Sequence, residues 1–75
     1  MTKKYDVTAD FYPLYFKQGR VIDIDGVEYI GEVEDVGRAE ENDSGEDSIG
    51  IITRPDINMG VDLNRSEILS IEILE

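Results

Sequence analysis

Carboxylates are the chemically active groups that this sequence supplies in quantity. Eighteen acidic residues face seven basic ones, for a net charge of −11. Eight of the acids fall within residues 32–47, where Arg38 is the single cation. Such a run could hold a divalent cation or imitate a nucleic acid, although most acidic runs are solvated loops. Counted from Asp43, an EF-hand would need glycine at Ser48 and glutamate at Arg54, so that calcium motif is absent from the sequence.

Few other residues could carry out catalysis. The chain has neither histidine nor cysteine, which removes the usual acid–base group near neutral pH and any thiolate nucleophile. Tyr15 or Lys17 could serve as a base, but no pattern pairs either with a nucleophile. There is also no glycine-rich phosphate loop. The sequence therefore predicts a protein that is not an enzyme and that binds no cofactor and no metal.

A group of aromatic and basic residues near the N-terminus is the best candidate for an interaction surface. It consists of Phe11, Tyr12, Tyr15, Phe16, Lys17 and Arg20. Aromatic rings and cations together could stack on and neutralise a short single strand of nucleic acid. The alternative is that the rings cover the open end of a small β-barrel. RNA is disfavoured because phosphate binding needs clustered cations, whereas the seven here are scattered along an acidic chain.

The elements that must position these residues are predicted to be short β-strands. β-branched residues favour a first strand over 20–24. Asp25 and Gly26 then predict a hairpin with a type I′ turn. The next strand alternates in polarity, and Gly31 within it predicts a bend at which the strand pairs with a neighbour on each side. Residues 37–47 contain almost nothing to bury and are predicted to form a mobile loop that is dispensable for folding.

Further strands are predicted over residues 49–53, 61–64 and 69–73, with a single 3₁₀ turn at 64–67. Residues before 20 predict a short extended segment around Tyr5 and Val7, then a turn capped by Asp10. The alternation of apolar residues predicts a core made of Val21, Ile24, Val27, Tyr29, Val33, Ile49, Ile51, Val61, Leu63, Leu69, Ile71 and Ile73.

The chain is expected to be one small domain, since it has only 75 residues. Residues 1–19 form an N-terminal aromatic segment, and residues 20–75 form the β domain with its acidic loop at 37–47. The predicted class is mainly all-β, a small, strongly bent barrel of about five strands, because closure hides most strand edges. No apolar run follows Lys3 and Lys4, so we expect a cytoplasmic protein without a membrane-spanning segment.

With the strands laid out, residues 20–74 resemble the Sm-like family of small β-barrels, and SH3-like barrels share the same plan. The resemblance rests on Asp25, Gly26, Tyr29, Gly31, Val33, Ile49, Ile51, Val61, Leu63 and residues 68–73. It implies assembly into rings, in which the fourth strand of one copy pairs with the fifth strand of the next. It also implies RNA binding at two loops. Here those loops are the acidic residues 42–47 and residues 64–67, where Arg65 is not followed by glycine, and both departures argue against RNA.

We therefore expect a non-enzymatic module for protein interaction or assembly. Its partner would be another protein or a second copy of the chain, bound through the aromatic surface or through strand edges. The candidate oligomer strands contain Val61, Leu63, Leu69, Ile71 and Ile73. Two alternatives remain: an RNA-binding Sm-like protein that acts as a ring, and an acidic mimic of nucleic acid.

Overall fold

The computed structural model describes residues 2–57 and 59–74, which form one antiparallel sheet with short 3₁₀ turns. The strands are β1 (Thr2–Tyr5), β2 (Gln18–Asp23), β3 (Glu28–Gly37), β4 (Ser48–Arg54), β5 (Met59–Asn64) and β6 (Ile68–Leu74). The 3₁₀ turns are Tyr12–Leu14, Ala39–Glu41, Pro55–Ile57 and Arg65–Glu67. The prediction of a mainly β fold is confirmed, with six strands in place of five.

The sheet is strongly bent. Its strand order is β1-β6-β2-β3-β4-β5, and β1 and β5 are its two edges among the described residues. The long strand β3 joins the two halves, because residues 28–32 pair with β2 and residues 32–37 pair with β4. A single flat sheet is about 10 Å thick, whereas the shortest dimension of this molecule is 25 Å. The two halves of the sheet therefore curve around one shared core.

β1 is the strand that the sequence pattern did not reveal. It runs antiparallel to β6, with Thr2 opposite Leu74 and Tyr5 opposite Ile71. Its first three residues are exposed, so no alternation of apolar residues marks it. The extended segment predicted around Tyr5 is the end of this strand, which exists because backbone groups of β6 are available to pair with it.

The core is formed by side chains from one face of each of the strands β2 to β6 and from the N-terminal segment. Its buried apolar residues are Phe11, Leu14, Val21, Val33, Ile49, Ile51, Leu63, Ile68, Ile71 and Ile73. The prediction is confirmed for Val21, Val33, Ile49, Ile51, Leu63, Ile71 and Ile73, while Tyr29 and Val61 pack against the core partly buried. Period-2 alternation thus identified most of the buried face of the sheet.

Three residues predicted for the core are exposed instead: Ile24, Val27 and Leu69. Ile24 and Val27 belong to the hairpin between β2 and β3, beyond the paired part of the strands. In β6 the register shifts, because Ile68 pairs with Asp23 while Ser70 pairs with Ile22. Leu69 is the extra residue of this bulge, and Ile68 takes the inward position.

The hairpin is organised by the carboxylate of Asp23, which is buried. Its Oδ1 accepts hydrogen bonds from the backbone N–H groups of Asp25 and Val27, each at 2.9 Å. Gly26 has a φ of 86°, but Asp25 does not share this left-handed conformation. The predicted type I′ turn is therefore wrong, since it needs positive φ at both central residues. The observed turn is closed by the N–H of Gly26, which donates to the Asp23 carbonyl at 2.9 Å, and its left-handed residue is the glycine alone.

Gly31 lies where β3 passes from one partner strand to the other. The next residue, Glu32, pairs with Gln18 of β2 and also with Ile52 of β4. A Cβ atom on Gly31 would overlap the backbone carbonyl of Ile52. Backbone cannot move aside as a flexible side chain can, so this position requires glycine.

Candidate interaction surface

Three neighbouring aromatic side chains lie on the Tyr12–Leu14 turn and the residues after it, two of them exposed and Tyr15 half-buried. The rings of Tyr12 and Tyr15 meet edge to face with centroids 5.7 Å apart, and those of Tyr15 and Phe16 are 4.6 Å apart. Phe16 is 69% exposed and Tyr12 is 51% exposed. We call Tyr12, Tyr15 and Phe16 the aromatic strip.

Phe16 is held in an unusual backbone conformation. Its φ is 65°, the sole positive value at a non-glycine among the described residues. A bulky residue rarely adopts this region, and it persists where surrounding contacts enforce it. Here β3 enforces it, because Phe16 N–H donates to the carbonyl of Val33 at 2.7 Å and Val33 N–H donates to the carbonyl of Lys17 at 2.9 Å. The fold thus keeps a large apolar ring in solvent, with the exposed Lys17 beside it.

Two residues of the predicted interaction surface lie elsewhere. Phe11 is fully buried in the core, so it cannot contact a partner. Arg20 lies on β2, where its guanidinium pairs with Glu28 and with Glu72, the latter at 2.7 Å. Its positive charge is therefore already paired with carboxylates of the same chain.

The same turn and the residue before it contribute Leu14 and Phe11 to the core. The carboxylate of Asp10 accepts the N–H of Tyr12 at 3.1 Å, as predicted for a capping residue. The turn that follows directs Leu14 into the core next to Phe11. Because these side chains come from a segment without regular alternation, the sequence pattern could not identify them as buried.

Asp35, whose charge acts on Tyr15, belongs to an acidic groove. Burial first, and then the negative charge of Asp35, raise the pKa of Tyr15. Asp35 and Asp62 line two adjoining depressions of about 340 and 320 Å³ on the outer side of β3, β4 and β5. The other carboxylates that line them are Glu34 and Asp43. We call these four carboxylates and the depressions between them the acidic groove.

Gly50 creates the space in this groove. It pairs with Asp35 of β3 on one side and with Asp62 of β5 on the other. A Cβ atom on Gly50 would lie 2.9 Å from Asp62 Oδ1 and 3.2 Å from the Cβ of Asp35. The missing side chain leaves two carboxylates facing each other across a gap. Within residues 2–57 and 59–74, however, no three acidic side chains converge closely enough to hold a metal ion.

The acidic loop makes specific contacts with the rest of the chain, whereas its predicted mobility and dispensability stay predictions. Asp47 accepts the N–H of Ala39 at 2.8 Å and a guanidinium hydrogen bond from Arg65 at 2.8 Å. Glu46 accepts both the N–H and the hydroxyl of Ser66, at 2.9 and 3.0 Å. The loop contains few apolar side chains, but its last two carboxylates attach it to the Arg65–Glu67 turn.

All four arginines of the chain form ion pairs with carboxylates. Besides Arg20 and Arg65, Arg54 pairs with Asp56 at 3.2 Å, and Arg38 lies 3.6 Å from Asp10. The guanidinium carbon of Arg38 is also 4.8 Å from the centroid of the Tyr12 ring. The groups best suited to phosphate are therefore already occupied within the chain.

The candidate oligomer strands are placed differently from one another. β5, which contains Val61 and Leu63, is an edge strand. β6, which contains Ile71 and Ile73, lies between β1 and β2 and is paired on both sides there. Pairing of β5 with β6 of another copy would therefore require β1 to leave its place.

No protein-family model, curated protein or solved structure matches the chain. None of the helical segments among the described residues has the length and apolar character needed to cross a membrane.

Proposed function

We propose that this protein is a non-enzymatic interaction module that binds a protein partner on the aromatic strip. The observation that carries the proposal is the exposure of Phe16 in a conformation that β3 enforces. Exposed aromatic rings are common anchors of protein interfaces because they supply a large contact area with few rotatable bonds. Tyr15 and Phe16, whose ring centroids lie 4.6 Å apart, offer such an anchor.

The chemistry of the strip supports binding rather than catalysis. Tyr15 is one of the two residues that could act as a base, but burial and the charge of Asp35 raise its pKa. A raised pKa makes the deprotonated form rarer near neutral pH, so Tyr15 is a weaker candidate base than a free tyrosine.

We further propose that the fold is a divergent small barrel of the Sm-like or SH3-like kind. The support is the strand order, in which β2 to β5 follow one another and β6 returns beside β2. The position of Gly31 at the crossing of β3 between its two partner strands is a second support. The additional strand β1 pairs with β6 and covers its free edge. Assembly into a ring through β5 and β6 is therefore less favoured than binding through the aromatic strip.

RNA binding is the second candidate function, and the exposed rings next to Lys17 favour it because bases stack on aromatic side chains. Against it stand the four paired arginines and the acidic groove beside Tyr15. A phosphate backbone would be repelled by that groove.

The test is a peptide-library selection on the folded protein, followed by affinity measurements of the selected peptides. We expect the Phe16→Ala and Tyr12→Ala variants to bind them about fivefold or more weakly. The matched control is Leu69→Ala, which removes an apolar side chain of comparable exposure from the bulge of β6. Selected peptides that bind wild type and Phe16→Ala equally would overturn the proposal. Binding of single-stranded oligouridine that depends on Phe16 would favour the RNA function instead.

A further inference from the structure

We propose that copies of this chain assemble head to tail, with β1 of one copy added to the free edge of β5 of the next. The inference goes beyond the aromatic strip and does not depend on it. It starts from the two edges of the sheet, since β1 and β5 are each paired on one side only among the described residues. The backbone N–H and C=O groups along such an edge can pair with a strand of another molecule.

The free edge of β1 is basic. Lys3 and Lys4 are both exposed, and neither forms an ion pair with a carboxylate of the described residues. Lys4 lies opposite Glu72 of β6, but Glu72 pairs with the guanidinium of Arg20 at 2.7 Å. Lys4 is therefore the outermost of three neighbouring residues that alternate in charge, and the open end of this row is positive.

The free edge of β5 is acidic. Asp62 is exposed, and no lysine or arginine in the described part of the chain forms an ion pair with it. Asp35 lies on the far side of Gly50 in the neighbouring strands and adds a second negative charge near this edge. The two edges of the sheet therefore carry opposite charges.

Charge also decides which edges can meet. Two copies of β1 side by side would bring their lysines together, and two copies of β5 would bring their Asp62 carboxylates together. Like charges on neighbouring strands destabilise a sheet, and charged edge strands are a common protection against pairing. Of the three ways to combine these two edges, only β1 with β5 places a cation against a carboxylate.

The faces of the two strands define the register. Tyr5 of β1 and Val61 of β5 both pack partly buried against the core. Lys4 and Asp62 are their neighbours in sequence and therefore point to the outer face. We place the strands antiparallel, like every other pair in this sheet, with Lys4 opposite Asp62.

The same register sets Tyr5 opposite Val61, one residue further along each strand. Side chains that lie directly opposite each other have Cβ atoms about 4.5–5.5 Å apart, close enough for an ion pair or an apolar contact. The outer face would thus gain the pair of Lys4 with Asp62. The core side would gain a contact between an aromatic and a β-branched residue, both of which are only partly buried in the single chain.

This contact uses a different edge on each copy, so every copy can bind two others. Such heterologous contacts build rings or chains and do not stop at a pair. β1 has only four residues, so we expect assembly only at high protein concentration. The net charge of −11 makes copies repel one another. Measurements therefore need near-physiological salt, at which charges more than about 8 Å apart are largely screened.

The experiment follows the mass of the protein in solution by light scattering as its concentration is raised. Wild type should grow from a monomer to species larger than a dimer. Lys4→Glu and Asp62→Lys each place like charges opposite each other, and each should raise the concentration needed for assembly by about fivefold or more. The double variant Lys4→Glu/Asp62→Lys restores opposite charges and should assemble as wild type does.

Glu41→Lys is the matched control, because it makes the same change in net charge as Asp62→Lys on an exposed residue of the acidic loop. If general repulsion between acidic copies governed association, both variants would assemble more readily than wild type. A defined contact between β1 and β5 predicts that Asp62→Lys weakens assembly and that Glu41→Lys does not.

Disulfide trapping tests the strand pair itself, since the chain has no cysteine of its own. A mixture of Lys4→Cys and Asp62→Cys proteins should form the mixed disulfide in preference to either homodimer. A mixture of Lys4→Cys and Glu41→Cys proteins should show no such preference.

A wild type that stays monomeric up to its solubility limit, or that stops at a dimer, would overturn the inference. So would equal behaviour of Asp62→Lys and Glu41→Lys, or a folded double variant that does not recover assembly. Phe16→Ala should assemble as wild type does. Loss of assembly in that variant would place the contact between copies on the aromatic strip and would also overturn the inference.

Discussion

The guanidinium carbon of Arg65 lies 4.3 Å from the centroid of the buried Phe11 ring. The same guanidinium donates to the Ala9 carbonyl at 3.0 Å and to Asp47 Oδ2 at 2.8 Å. It also donates to the carbonyl of Val7. One side chain therefore joins the N-terminal segment, the acidic loop and the turn before β6. The arginine whose position resembles an RNA-binding site of the Sm-like family is used here to hold the chain together.

Replacement of Arg65 should destabilise the fold. Arg65→Ala leaves Asp47 and two backbone carbonyls without their donor, and we expect a loss of about 2 kcal/mol, typical of charge-assisted hydrogen bonds that are partly shielded from solvent. Arg65→Lys should recover little of it, because an ammonium group lacks the planar fork that reaches several acceptors. The stability changes of both variants are measured from their chemical denaturation midpoints at equal slope.

The matched control is Arg54→Ala. Its guanidinium pairs with Asp56 on the surface, with both side chains about 60% exposed, and such pairs contribute about 0–1 kcal/mol. Equal effects of Arg65→Ala and Arg54→Ala would show that Arg65 does not connect the three segments.

The stability that Asp23 contributes should depend on pH. Hydrogen bonds from the backbone, that of Val27 first, hold the pKa of Asp23 below its usual value of 3.8. Because the folded-state pKa is depressed, the stabilisation is present above about pH 4 and is lost as pH falls through the lower folded value. Asp23→Asn should therefore be less stable than wild type at pH 7, and this difference should shrink below pH 4. Denaturant midpoints between pH 2 and 7 test it, and a difference that is independent of pH would contradict it.

Gly31→Val should destabilise the protein by more than about 1 kcal/mol, although valine suits an ordinary strand. The reason is the overlap of any Cβ atom with the carbonyl of Ile52. Gly31→Ala should already show most of the effect. Gly19→Ala is the control in the paired strand, since a Cβ atom there lies at an ordinary 3.5 Å from the nearest carbonyl oxygen. An unchanged denaturation midpoint for Gly31→Val would show that β3 does not approach β4 as closely as described.

Truncation of two residues of β6 should change stability by very different amounts. Ile71 is 2% exposed, and Ile71→Ala should cost about 2–5 kcal/mol because it leaves a cavity. Leu69 is 62% exposed at the bulge, and Leu69→Ala should change stability by less than about 0.5 kcal/mol. Thermal melting of the two variants measures the contrast. A large loss for Leu69→Ala would place Leu69 inside and remove the bulge.

The acidic loop should prove partly dispensable. Replacing residues 38–47 by a Gly-Ser linker removes Asp47 and Glu46, and we expect a clear loss of stability because the Arg65–Glu67 turn loses its partners. Replacing Glu40 and Glu41 by glutamine keeps these contacts and should leave the denaturation midpoint nearly unchanged. If the full linker variant is as stable as wild type, the contacts of Asp47 contribute nothing measurable.

Local patterns in the sequence determined most of the strands and much of the core. The alternation of Ile49 with Ile51, and of Ile71 with Ile73, identified buried faces because successive side chains of a strand point to opposite sides. The 3₁₀ turn at Arg65–Glu67 and the capping role of Asp10 were also predictable, since both depend on residues a few positions apart.

Tertiary structure alone decided the rest, because it depends on groups that meet only after the chain has folded. The bulge that exposes Leu69 and buries Ile68 arises from the register between β6 and β2. The burial of Phe11, the use of Arg65 and the groove between Asp35 and Asp62 each join segments that are distant in sequence. The residue types indicated an acidic protein with exposed aromatic rings. The packing of β3 against the N-terminal turn decided which of those rings face solvent.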